Sequence, residues 1–300
     1  MAVGDIVTAA RFNNLQARIA TVMGVGGGAE GYGQSLDSNS VLTSADVNAT
    51  DMSNLYLDMT KARFHQVGAL PTEIENIIRG DIILDDNAAP FDPKSFAAFE
   101  NLMIDIEADK YLLSSNAATA KVETGISSSR STAWNGAVSY EFVVQFADVN
   151  ARRYFFNSGG EIRITSNVSG GSQAKSSDWR LILSNVGVVK FNYTSTTSTG
   201  TGTGSLIGNY DITASETKIF TKVGSDVSAA YAENEYNIYA SQLSPSEIKF
   251  KVEFLDADTG DPNFDENVDG TTSTSIQHFR AAGTYVEVDA PGYYTVSPLG

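Results

Sequence analysis

The chain has 300 residues, 36 acidic against 20 basic side chains, a formal net charge of −16 and no cysteine. Disulfides, thiolate metal sites and a cysteine nucleophile are thereby excluded. The acidic balance repels phosphate backbones and anionic bilayers, so neither nucleic acid nor a membrane is expected as a partner.

The length suggests two domains, and an apolar share of 42% is enough for real cores. Met1-Ala2-Val3-Gly4-Asp5 lacks the basic residues and apolar run of a signal peptide. No apolar run approaches the ~20 residues needed to span a bilayer. The expectation is a protein made in the cytoplasm without classical secretion.

Three early segments share one pattern. Thr8 is followed by Phe12, Asn14, Leu15 and Ile19; Asn48 by Met52, Asn54, Leu55 and Met59; Ser95 by Phe99, Asn101, Leu102 and Ile106. A capping side chain comes first in each, and apolar residues then recur on one helical face. Gly4-Asp5-Ile6-Val7 and Gly80-Asp81-Ile82-Ile83 echo one another as short extended entries. The spacing predicts three related amphipathic helices from a degenerate duplication. Their faces can bury each other in a small bundle or pack on neighbouring subunits.

Between the first two helices, Gly26, Gly28 and Gly31 satisfy G-x-G-x-x-G. The dinucleotide fingerprint needs a strand before it and a helix after it. Here a helix precedes and a serine-rich loop follows, so the stretch reads as a flexible connector and no cofactor is expected.

Composition shifts to Ser, Thr, Val and Tyr near residue 116. This divides the chain into a helical docking region, 1–116, and a β-sandwich-like domain, 117–300. Strands are expected at 121–125, 137–146, 161–167, 187–193, 205–212, 217–223, 235–240, 247–256, 275–281, 285–289 and 293–296. A helix is expected over 175–183. Thr194 to Gly204 reads as a mobile loop. A turn at Pro291-Gly292 would bring Tyr285 and Val286 opposite Tyr294 and Val296. The fold class is therefore α+β: a small helical region, then an antiparallel sandwich with one or two inserted helices.

The densest stretch is Ala147 to Ile164. Asp148 caps a helix from Val149 to Phe156, Gly159 or Gly160 ends it, and Glu161 to Ile164 alternates as a strand. Tyr154, Phe155 and Phe156 need an apolar partner, which the following strands are expected to provide.

Candidate chemistry is sparse. The acidic loop from Asp256 to Asp269 opens D-x-D, but Gly260 and Asn267 break the EF-hand pattern. A solvated hairpin tip explains it more simply than calcium, and no metal is assigned. His65 and His278 are the only histidines, in different predicted domains, and read as structural or surface residues. No G-x-S-x-G elbow marks a nucleophile. Arg152, Arg153 and Arg163 either recognise carboxylates on a neighbouring chain or pair internally with Glu141, Asp148 or Glu161. Tyr231, Tyr236, Tyr239, Tyr285, Tyr293 and Tyr294 serve as core and edge residues or stack on sugars.

Three stretches carry a resemblance. Phe12-Asn13-Asn14-Leu15-Gln16-Ala17-Arg18-Ile19 with Gly31-Tyr32-Gly33-Gln34 is the first, and Asn54-Leu55 with Lys61-Ala62-Arg63-Phe64-His65-Gln66 the second. The third is Tyr154-Phe155-Phe156-Asn157-Ser158-Gly159-Gly160-Glu161-Ile162-Arg163. Together they resemble virion structural proteins of tailed phages that infect marine bacteria and cyanobacteria. The resemblance implies a non-enzymatic particle component of the tail, neck or fibre, located in the virion. It would act as a homo-oligomer with other virion proteins as partners. The expected interface residues are Phe12, Leu15, Ile19, Met52, Leu55, Met59, Phe99, Leu102, Ile106, Arg152, Arg153 and Arg163. The rival readings are a receptor module binding a host surface glycan, a capsid decoration protein and a polysaccharide-cleaving enzyme.

Overall fold

In the computed structural model, which describes residues 7–83, 90, 92–224, 232–257 and 267–296, the fold is α+β, with five helices and ten strands. The chain forms two compact units. The helical unit comprises Met1–Lys121, Arg153–Gly159 and Arg280–Val288; the strand unit comprises Val122–Arg152, Gly160–Phe279 and Asp289–Gly300.

The helical unit contains α1 (Ala9–Met23), α2 (Ala49–Val67) and α3 (Phe96–Ala108). Each starts where a side-chain oxygen can take an otherwise orphaned amide. Thr8 accepts from Arg11 N, Ser95 accepts from Ala98 N, and Asn48 forms a reciprocal capping box with Asp51. Gly68, at φ 76°, closes α2 in the left-handed region. All three helices pack against one another. The apolar triplets Phe12, Leu15, Ile19; Met52, Leu55, Met59; and Phe99, Leu102, Ile106 are none more than 1% exposed. Arg11 grips Glu100 at 2.8 and 2.6 Å, and Arg18 grips Glu107 at 2.9 and 2.7 Å. The pairs advance in the same sense along both helices, so α1 and α3 run parallel.

The strand unit packs two five-stranded antiparallel sheets into a sandwich-like body. One sheet has the order β1-β9-β3-β4-β5, the other β10-β2-β8-β7-β6. The strands are β1 (Ala120–Arg130), β2 (Ala137–Gln145), β3 (Glu161–Ser169), β4 (Val189–Phe191), β5 (Thr196–Ser198), β6 (Thr217–Val223), β7 (Glu235–Ser244), β8 (Glu247–Leu255), β9 (Thr271–Ala281) and β10 (Gly292–Val296).

Alternation assigns the faces. Ile248, Phe250, Val252 and Phe254 of β8 are buried, as are Ile162, Ile164, Ser166 and Val168 of β3. The inner faces meet where Phe191 stands edge-on to Phe250, with centroids 5.2 Å apart. Ser166 Oγ lies 2.9 Å from Tyr236 Oη, and Tyr140 donates to Thr272 O at 2.9 Å. Helix α5 (Ala174–Val186) packs on β3. Its N-cap residue Gln173 makes no side-chain cap. Asp269 braces the approach to the helix, accepting from Ser172 N, Gln173 N and Ser176 Oγ. These amide and hydroxyl donors hold the Asp269 carboxyl well below the usual carboxylate range.

Several local expectations differ from the structure. Residues 205–212 form no strand; Ser205 makes a single bridge to Thr196. Thr194 to Gly204 contains β5, and its hydroxyls tie it down: Thr196 Oγ1 donates to Ile207 O at 2.8 Å. Residues 285–289 fold into a short hairpin through the Ala282–Glu287 bridge, with Arg280 Nη1 on Val288 O at 2.7 Å. The strand after Pro291 pairs with β2, setting Tyr294 opposite Val143 rather than Tyr285. Among the described residues no helix is long and apolar enough to cross a membrane.

Candidate functional site

Within the helical unit, the glycine loop meets the end of α4 (Val149–Asn157). Asp148 Oδ1 accepts from Ala151 N at 2.8 Å, as a cap should, and Gly159 leaves the helix at φ 84°. Residues Arg153–Gly159 then group with the helical unit, not with the strands. Arg153 donates to Glu30 O and Val25 O at 2.7 and 2.8 Å. Asn157 Nδ2 reaches Gly31 O at 3.2 Å, and Tyr111 donates to Ala29 O at 3.0 Å. The loop thus presents carbonyls to cationic and amide donors. A phosphate cradle presents N–H groups, so the polarity is the reverse of a nucleotide loop. The connector expected to be flexible is held from several sides.

Around this loop, residues distant in sequence converge. A Cβ on Gly33, which sits at φ 75°, would lie 2.6 Å from the Tyr154 ring; only glycine permits that approach. The Tyr32 and His65 rings are 5.0 Å apart, and His65 Nε2 lies 2.9 Å from Ser158 O. Gln66 Nε2 bonds Ile106 O at 2.8 Å. Burial pushes the His65 imidazole down to about 4, against the opposing hydrogen bond to Ser158. A pocket of about 160 Å³ opens beside this cluster, walled by Val22, Tyr32, Glu107, Tyr111 and Asn157 among others. Its polar walls are largely committed: Glu107 to Arg18, Tyr32 Oη to Lys110 O at 2.5 Å.

The nine apolar residues expected at an interface fill the interior of the helical unit. Their area is already removed from water within one chain, so a docking surface must use other residues. The three arginines also have partners in the chain. Arg163 pairs with Glu161 at 2.7 Å and lies over the Phe279 ring. Arg152 is buried among neutral acceptors: Asn209 Oδ1 at 2.8 Å, Gln242 Oε1 at 3.2 Å, and the carbonyls of Ser244 and Pro245. Lost hydration pushes its guanidinium down to about 10. Its guanidinium bonds these neutral groups in place of the carboxylates of Glu141, Asp148 or Glu161, and serves the turn between β7 and β8.

His278 of the strand unit has partners the sequence did not reveal. Nδ1 lies 2.7 Å from Tyr293 Oη and Nε2 lies 3.1 Å from Glu123 Oε2. Burial, then the Glu123 charge, holds the Tyr293 phenol above its ordinary range. The trio orients the imidazole. The late tyrosines do not gather on one face. Tyr236 is core, Tyr239 bonds Glu253, Tyr285 packs on Phe64, and Tyr294 reaches Glu247. Tyr231 and most of the Asp256–Asp269 loop lie outside the described residues. Among the described residues no cluster of three or more His, Asp or Glu is placed to hold a metal ion.

No protein-family model matches the chain, and no curated protein or solved structure matches it either.

Proposed function

We propose that this chain is a structural component of a tailed-phage virion, of the tail, neck or fibre, that works through contacts between subunits and catalyses nothing. The observation that carries the reading is the convergence just described. The residues behind the resemblance come from three distant stretches, yet Tyr32, Gly33, His65, Gln66, Tyr154, Asn157 and Ser158 form one packed cluster. Three stretches that build one cluster describe one structural unit.

The docking surface we assign lies on residues 70–82, after α2. Ile74 and Ile77 anchor it in the interior, and Glu75 N bonds Pro93 O at 2.9 Å. Leu70, Ile78 and Ile82 project outward at 58, 59 and 69% exposure. Anchored apolar side chains in an acidic chain suit a partner that excludes water.

The test is to raise antibody to the purified chain and image it on intact particles. A fixed position on every particle is expected, lost in an Ile78→Asp/Ile82→Asp variant whose circular dichroism is unchanged. Absence of the chain from purified particles overturns the proposal. Glycan-array binding that survives the same double substitution would favour a receptor module.

A further inference from the structure

The strand unit encloses a lysine and an aspartate in a dry, aromatic setting. Lys175 lies in the first turn of α5 and Asp256 follows β8. Their side chains are 1% and 0% exposed, and Nζ is 2.9 Å from Oδ2. Trp179, one turn along α5 from Lys175, and Phe254, two residues before Asp256, have ring centroids 5.6 Å apart. Trp134 stands 5.7 Å from Trp179 and 6.3 Å from Phe254. The backbone at Asp256 is fixed by a 2.6 Å bond from its N–H to Gly136 O.

A buried ion pair is a poor source of stability, because both ions surrender their hydration. Placing an amine against a carboxyl in a water-poor site has a second consequence. Intramolecular reactants held in contact reach effective concentrations on the order of 10⁵–10⁸ M, and water is scarce there to reverse a condensation.

We propose that Lys175 and Asp256 join through an intramolecular amide bond between the two side chains. A proton passes from Nζ to the carboxylate along the existing hydrogen bond, leaving a neutral amine beside a carboxylic acid. The Nζ lone pair attacks Cγ and forms the C–N bond. The C–O bond to the hydroxyl breaks, and that hydroxyl leaves as water with a second proton from Nζ. Nothing is oxidised or reduced, and no further reactant is consumed. The link spans 81 residues and fastens the start of α5 to the end of β8 in a chain that has no cysteine for a disulfide.

The experiment is intact-mass spectrometry of the full chain under denaturing conditions, followed by peptide mapping. The wild-type chain is expected to weigh one water less than its sequence, and digestion should yield a branched peptide containing both Lys175 and Asp256. Lys175→Arg, which keeps the charge but offers no amine, should weigh its full sequence mass. A wild-type chain of full mass with the two peptides separate overturns the proposal, as does a water loss that maps elsewhere. The wild-type peptide map decides the matter even if the variant fails to fold.

Discussion

The helical unit and the strand unit satisfy their buried polar atoms in opposite ways. In the strand unit, ladders between neighbouring strands pair the backbone groups, and several buried polar side chains bond to one another. Ser166 meets Tyr236 and Thr274, and Thr221 meets Asn237. The helical unit has long irregular connectors whose amides and carbonyls have no ladder. Side chains from distant positions satisfy them: Asp58 accepts from Asp37 N, Ser38 N and Ser38 Oγ, and Asn13 makes a reciprocal pair with Val41. Where the ladder stops, the strand unit does the same: Arg152 serves carbonyls at a turn, and Thr196 Oγ1 donates to Ile207 O. Irregular backbone recruits side chains because buried peptide groups cannot stay unpaired.

The contrast can be broken at four points. Phe250→Ala should have the largest effect, about 4 kcal/mol from lost contacts and a residual cavity in the sandwich, read as a drop in urea midpoint. Retention of midpoint would mean the sheets do not pack there.

Acid should act on the helical unit through His65. Its imidazole is neutral in the fold and ordinary in the unfolded chain, so the unfolded state takes up the proton first. Stability is intact above pH 6.5 and falls as the pH drops towards 4, by about 3 kcal/mol in all. Urea midpoints across that range should be flatter in His65→Gln than in wild type.

Asp58→Ala should cost about 2 kcal/mol, because it orphans two backbone amides at once. Hydrogen exchange at Asp37 and Ser38 should accelerate; unchanged exchange would refute the pinning role. Ser166→Ala should cost about 1 kcal/mol, since Tyr236 and Thr274 lose one partner in a body whose backbone is already paired.

What the sequence disclosed follows the same division. Helix caps at Thr8, Asn48 and Ser95, and the alternation of β8 and β3, are local signals, and each is present in the structure. Pairing partners are not local. The alternation of Tyr293 to Val296 says that a strand exists, but not that β2 receives it. Thr196 to Ser198 carries β-branched residues inside a Ser/Thr/Gly run, and composition hid the strand. The hold of Arg152 on the turn between β7 and β8, and of Arg153 and Asn157 on the glycine loop, depends on backbone carbonyls, which every residue carries and no motif marks. The apolar triplets were legible as faces. Which surface they covered was decided by tertiary packing.

One edge of the second sheet has a wider consequence. Strands at sheet margins are commonly guarded by charge. β6 carries Lys218 and Lys222, and β1 carries Lys121 and Arg130. β10, Gly-Tyr-Tyr-Thr-Val, carries none and leaves Tyr294, Thr295 and Val296 exposed. No side chain of β10 itself carries a charge to discourage another extended chain from zipping onto that margin. Concentration, not temperature, should therefore govern when the isolated protein leaves solution, and a single lysine at Thr295 should delay it.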